Sequence, residues 1–161
     1  MSPGCATQQR VAPTIHMILT LVAVACSGLF AGAAIYINAV EHPARLATGT
    51  ASALAQWHPS YRRATVMQVT LAVLGTGAAL IGWASGHGTA LLVGGLLLVA
   101  VVPVSLIVIF PTNRRLENPR LDPTSAEAAH LLVRWGYLHA IRSALGLAAF
   151  LVMCAAAVGV F

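Results

Sequence analysis

The sequence has no lysine and only four acidic residues, and three long stretches, 11–40, 64–113 and 143–161, carry no charge at all. Soluble globular domains have roughly a quarter of their residues charged. Here the fraction is 8%, against 58% hydrophobic, which excludes an ordinary soluble fold. Cysteine is also scarce: Cys5, Cys26 and Cys154 form no CxxC pair and no zinc-ligand spacing. Cys26 and Cys154 fall at similar depth on two apolar stretches, yet isolated cysteines usually behave as small apolar residues. No basic stripe interleaved with aromatics is present, so nucleic acid is not an expected partner. The net charge of +5 comes wholly from arginine, and attraction to anionic lipid headgroups accounts for it. Arginine without lysine, with heavy use of Ala, Gly, Val and Leu, is the composition of a high-GC bacterial genome.

What the chain does have is hydrocarbon-length apolar sequence. A bilayer core about 30 Å thick needs roughly 20 helical residues to cross it. The first and last charge-free stretches hold one span each. The middle one holds two, divided by the turn composition Ser85-Gly86-His87-Gly88. The expectation is an all-α, four-helix transmembrane bundle in one domain, with spans near 15–39, 64–84, 89–110 and 141–160 and polar loops at 41–63 and 111–124. A cleaved signal peptide over residues 1–35 competes for the first span, but its apolar run is too long and its leading segment has one arginine. Apart from Arg10, the charges fall in two windows, Glu41 to Arg63 and Arg114 to Arg142. Retention of arginine-rich loops on the inner side then predicts a multi-pass cell-membrane protein with both charged loops cytoplasmic and both termini outside.

Packing signals follow the same plan. Gly28-Leu-Phe-Ala-Gly32 is a small-xxx-small pattern that lets helices approach closely. Pro103 lies inside the third span, where it must kink the helix or leave a carbonyl for a neighbour to satisfy. Pro123-Thr124-Ser125-Ala126-Glu127 reads as a threonine N-cap with glutamate three positions on, a capping box. A helix from there to about Val158 would be roughly 50 Å long, so the fourth helix extends into the cytoplasm.

Candidate functional residues cluster at the charged end. Trp135, His139, Arg142 and Gly146 are spaced i, i+4, i+7, i+11, which confines them to one strip of the fourth helix. The bland account of Trp135 and Arg142 is an interfacial anchor and a snorkelling cation; 19 residues follow Arg142, enough to span without burying it. At the end of the first helix, Glu41-His42-Pro43-Ala44-Arg45 places two ionisable groups where Pro43 disfavours helical geometry for His42. The bland alternative is a surface Glu41–Arg45 pair beside a solvated His42. The third span leaves through Phe110-Pro111-Thr112-Asn113, and Asn113 can both donate and accept hydrogen bonds. Trp57 and Tyr61 fit an aromatic belt, with Pro59 at the first turn of the second helix. His16, His87 and His130 are read as structural or solvent-facing.

Taken together, Glu41-His42-Pro43, Tyr61-Arg62-Arg63, Pro111-Thr112-Asn113 with Leu116, and the spaced Trp135, His139 and Arg142 resemble the small integral-membrane family named for its anthrone oxygenases, over roughly residues 28 to 150. The resemblance implies oxidation of an activated methylene in a fused aromatic compound to a ketone by dioxygen, with no organic cofactor. In that reading His139 or His42 is the base, Arg142 and Asn113 stabilise the oxyanion, and Trp135, Tyr61 and Glu41 hold the substrate. Iron or copper bound by His42, His139 and Glu41 is another route to oxygen activation. The expected partners are the lipid bilayer and a lipophilic small molecule; a homo-oligomer is compatible with the pattern. A non-catalytic protein holding a lipid, a small molecule or a partner helix is the alternative. A transporter is a weaker third, since no inverted repeat is visible.

Overall fold

The structure is a computed structural model that describes residues 3–86 and 88–160, with side chains described from Thr14 onward apart from His87 and Phe161. His87 and the side chains of Cys5 and Arg10 therefore lie outside the described residues. Four helical rods make up the fold. The first is α1 (Pro3–Tyr36), a π-helical turn (Ile37–Glu41) and α2 (His42–Ala47); the second is α3 (Thr50–Ala84). The third is α4 (Thr89–Val104), a second π-turn (Ser105–Ile109) and α5 (Phe110–Leu116); the fourth is α6 (Ala126–Ala157). No strand occurs among the described residues. All four rods are long and apolar enough to cross a membrane, so this is a multi-pass membrane protein. The first and third rods each pack against the second and fourth, giving an up-and-down bundle in which they lie diagonally opposed.

The charged segments are more helical than their composition suggests. Residues 41–63, expected as a loop, are interrupted only at Thr48 and Gly49. Gly49 has φ of 88°, a left-handed conformation that glycine adopts without a Cβ penalty, and this reverses the chain in minimal length. Pro59, expected in a first turn, lies inside α3. Pro43 does not end the first helix. The preceding turn widens so that the His42 N–H reaches the carbonyl of Ile37, five residues back, and the proline falls in the first turn of α2, where its missing N–H costs nothing. The same device recurs in the third rod: the Phe110 N–H reaches Ser105 and Pro111 opens α5. The second loop is correspondingly shorter than expected, since helix persists to Leu116.

The fourth helix starts one residue later than the capping-box reading. Ser125, not Thr124, is the N-cap, and its Oγ accepts the Ala128 N–H at 3.1 Å. Glu127 consequently does not reach back to a cap; it pairs with Arg115 at 2.6 Å. Thr124 donates its N–H and hydroxyl to Asp122 Oδ1 instead, which holds the Asp122 carboxyl below the usual carboxylate range.

Two buried clusters form the core. One lies within the apolar stretches and is built from small residues around Phe30, Leu98 and Met153. The other lies towards the charged windows around Trp57, Ile109, Leu132 and Trp135. Of the paired glycines on the first helix, a Cβ at Gly28 would come within 2.9 Å of the Phe150 ring, whereas Gly32 has open space around it, so only one of them mediates close approach. Phe30, on the same helix, is fully buried, so this helix forms one wall of the bundle. Cys26 and Cys154 are both free thiols.

Removal of the cap tests this assignment. Ser125→Ala should lower the stability of the detergent-purified protein by about 1 kcal/mol, measured by thermal unfolding. Glu127→Ala, which removes a solvent-exposed ion pair, should cost about half of that or less.

Candidate functional site

The strip on α6 faces inward: Trp135, His139, Arg142 and Gly146 are all buried. Trp135 is 4% exposed and Arg142 8%, so neither is an interfacial anchor nor a snorkelling side chain. The absent side chain at Gly146 admits the Phe30 ring, which a Cβ there would meet at 2.7 Å. Phe30 in turn lies 5.3 Å from the Arg142 guanidinium carbon, within cation–π range. Arg142 Nη1 also donates to Ser105 Oγ at 3.4 Å. No carboxylate pairs with Arg142 among the described residues; the ion pairs there are Arg45–Glu41, Arg62–Glu117 and Arg115–Glu127.

His139 is held by a residue absent from the sequence-based candidates. Asn38, in the first π-turn, donates its Nδ2 to the Gly136 carbonyl at 2.9 Å. A carbonyl can only accept, so this contact orients the amide and turns Oδ1 towards His139 Nδ1, 2.7 Å away. Ser143 Oγ donates to the same Oδ1 at 2.6 Å. The neutral His139 ring therefore carries its proton on Nδ1, and Nε2 keeps a lone pair with no hydrogen bond made to it.

His42 is fixed in the opposite tautomer. Its Nε2 lies 2.9 Å from the Leu132 carbonyl, so Nε2 carries the proton, while Nδ1 is buried without a partner. Gly136 makes this possible, because a Cβ there would sit 2.7 Å from His42 Cδ2. His42 is buried and so is Arg45, at 4% and 3% exposed. The expected pair of Glu41 and Arg45 exists, with Arg45 buried and Glu41 half-buried. Arg45 further donates to Gln56 Oε1 at 3.1 Å and to Ser60 Oγ at 2.8 Å.

An aromatic wall links these groups. His139 stacks on Trp135 with centroids 4.8 Å apart and planes 30° apart, and His42 and Trp57 approach the same indole at 5.0 and 5.9 Å. Trp135 is thus boxed in by neighbours rather than an open plate. Trp57 is fully buried and stacks on Tyr61 at 4.8 Å with planes 3° apart, so it is core rather than membrane belt. Asn113 Nδ2 donates to Tyr61 OH at 3.0 Å.

These residues surround a cavity of about 150 Å³ whose wall includes Glu41, Tyr61, Asn113, Trp135, His139 and Arg142. His42 is not part of that wall; it lies behind Trp135. Arg45 and Gln68, also in the wall, were not expected there. Several polar atoms around the cavity are buried with no hydrogen-bond partner: Arg45 Nη1, Gln68 Nε2, Asn113 Oδ1 and Arg142 Nε. The cavity is also open laterally. α4 packs closely against α3, whereas the backbones of the π-turn and α5 that follow stand further from it, with the Asn113–Tyr61 hydrogen bond still joining α5 to α3. The gap is flanked by Val69 on one side and Leu106 and Phe110 on the other, all exposed.

The proposed metal ligands are not assembled. Among the described residues no three His, Cys, Asp or Glu side chains converge as a metal site. The Glu41 carboxylate is held by Arg45, and one nitrogen of each histidine is committed to a protein acceptor. His130 is exposed and His58 only packs its ring against Trp57.

Fold and site together define a polytopic membrane protein with a buried polar cavity of mixed imidazole, guanidinium and carboxamide groups, open to the side. The profile of the anthrone oxygenase family matches residues 57–152. Anthrone oxygenase tpcL of Aspergillus fumigatus is 30% identical over 138 residues, 79% of this chain and 86% of that protein. The chain belongs to the anthrone oxygenase family. No solved structure matches it.

Loss of the Asn38 amide should leave His139 Nδ1–H without its acceptor and remove the side-chain donor from the Gly136 carbonyl, while Ser143 keeps the His139 carbonyl. Asn38→Ala is expected to destabilise the protein by about 2–4 kcal/mol, read as a lowered unfolding temperature in detergent. Gly136→Ala should displace the His42 ring at a cost of about 1–3 kcal/mol and change the emission of the adjacent Trp135.

Proposed function

We propose that this protein is a membrane oxygenase that uses dioxygen to oxidise a lipophilic aromatic compound, anthrone- or quinol-like, in the cavity between its helices. The observation that carries the reading is the state of His139: its proton is committed to Asn38 on Nδ1 and its Nε2 lone pair is free, in a cavity that also contains an unpaired guanidinium. The name of the fungal relative supports the same chemistry. The lateral opening between α3 and the third rod supports a substrate dissolved in lipid.

For an anthrone-like substrate the steps balance without a further redox partner. His139 Nε2 removes one proton from the ring methylene. The resulting carbanion is delocalised as a phenolate, whose oxygen is stabilised by Arg142 and by hydrogen bonds from the Tyr61–Asn113 pair. The carbanion carbon passes electrons to dioxygen and bonds to it, and the imidazolium returns the proton to give a hydroperoxide. Loss of the second methylene hydrogen with cleavage of the O–O bond gives the ketone and one water, so that R₂CH₂ and O₂ yield R₂C=O and H₂O. Trp135 and Tyr61 supply apolar surface against the ring system, and Trp57 and His42 pack behind them. No step is assigned to iron or copper, because the donor set described above does not converge.

The arginines favour one orientation. Arg45, Arg62, Arg63, Arg114, Arg115, Arg120 and Arg134 gather at one end of the bundle while Arg10 alone belongs to the other stretch, so the charged end faces the cytoplasm in this reading.

Oxygen uptake by the detergent-purified protein with an anthrone or a hydroquinone tests the reaction. His139→Ala should reduce kcat by about a hundredfold or more. Unchanged turnover in the variant would remove His139 from the mechanism, and a bound ligand without turnover in the wild type would favour a non-catalytic binding protein.

A further inference from the structure

Gln68 has no role in the chemistry above, yet it is among the most buried polar side chains, 1% exposed, in a helix stretch without charge. It forms part of the cavity wall, and its Nε2 has no hydrogen-bond partner. A buried amide left unpaired costs about 1–3 kcal/mol, and membrane-spanning helices rarely keep such a group unless it meets another polar group. No side-chain acceptor among the described residues reaches that Nε2. The missing acceptor therefore belongs to whatever fills the cavity.

Its position specifies where that acceptor lies. Gln68 is seven residues after Tyr61 on α3, so the two share a face and are separated by about 10 Å along the helix axis. Tyr61 and Asn113 supply polar groups at one level of the cavity, and Gln68 supplies a carboxamide two helical turns away. Between them α3 contributes Ala64 and Thr65 to the wall. A primary amide both donates and accepts, so a phenolic hydroxyl is a suitable partner.

We infer that Gln68 is a specificity-determining residue that hydrogen-bonds an oxygen substituent at the deep end of the ligand, selecting planar polycyclic compounds with oxygens at both ends of the long axis. This rests on the aromatic-ligand reading of the cavity but not on turnover. Arg142 stabilises charge that develops during reaction, whereas Gln68 reads a group that the ligand already has. The contribution of Gln68 appears in binding and in KM, and leaves kcat for a bound substrate nearly unchanged.

Binding can be measured without catalysis by quenching of tryptophan fluorescence in the detergent-purified full chain. The probes are 2,6-dihydroxyanthraquinone, with a hydroxyl at each end, and 2-hydroxyanthraquinone, with one. The wild type should bind the first about tenfold more tightly than the second, the effect of one hydrogen bond to a buried amide. Gln68→Met, which preserves length and flexibility, should abolish that preference while leaving the affinity for 2-hydroxyanthraquinone within about twofold; Gln68→Leu should do the same and serves as a second variant. An unchanged preference in the variants, equal loss of affinity for both probes, or failure of the wild type to bind either probe would overturn the proposal. Failure of the oxygenase reading is separately visible, as probe binding with the stated preference but no oxygen uptake.

Discussion

The site depends on the Asn38 carboxamide. It joins the first rod to the fourth through three hydrogen bonds, to Gly136, His139 and Ser143. Because the Gly136 carbonyl can only accept, the amide has one acceptable orientation, and through it His139 has one acceptable neutral tautomer. The neighbouring His42 is held against the same helix at Leu132 by a separate bond. Gly136 serves both contacts, offering its carbonyl to Asn38 and its missing Cβ to the His42 ring. One turn of α6 thereby fixes the protonation pattern of both histidines.

The prolines explain how polar residues come to be on these helices at all. His42-Pro43 and Phe110-Pro111 each follow a π-turn, and such turns are frequent at functional sites. A wide turn changes the angular position of every later residue on the helix. In the first rod it contains Asn38 and Glu41; in the third it follows Pro103 and begins with Ser105, the hydrogen-bond partner of Arg142. Beyond α4 the backbone of the third rod stands further from α3, to which Asn113 still bonds through Tyr61, and the cavity opens there. Ser105 also returns its hydroxyl to the Val101 carbonyl at 2.7 Å, so the backbone is supported where the helix is irregular.

Much of the architecture was legible because hydrophobic length and the placement of arginine are one-dimensional properties. The four spans follow from run length and the single strip of Trp135, His139 and Arg142 from helical period, whereas the inward direction of that strip is settled by packing. The helical nature of 41–63 was not legible, since its arginines and prolines have the composition of a loop. Pro43 and Pro111 misled for a stated reason: a proline ends a regular α-helix, but a π-turn before it removes the conflict. His42 and Asn113 looked equivalent in sequence, both near a proline at the charged end, and only packing separates them, with Asn113 in the cavity wall and His42 behind Trp135. Asn38 and Gln68 could have been found. With Asn113 they are the only carboxamides in the three charge-free stretches, and a side chain so costly in hydrocarbon is itself a signal.

The two buried arginines make a comparison that bears on what the cavity receives. Arg45 is neutralised by Glu41 and has further acceptors in Gln56 and Ser60. Arg142 has the Phe30 ring and one hydroxyl, and no carboxylate among the described residues. Both are guanidiniums that lose hydration on burial, so the difference lies in compensation. At an effective dielectric of 20, a unit negative charge 4 Å from Arg142 would gain about 4 kcal/mol. A permanently neutral lipid could not collect that gain; a compound that becomes anionic within the cavity could, and would collect it only once ionised. Interactions stronger in the ionised state than in the bound neutral one are those that accelerate a reaction. Under the proposed oxidation, the charge of Arg142, which has no carboxylate partner among the described residues, would thus assist deprotonation by the neighbouring imidazole.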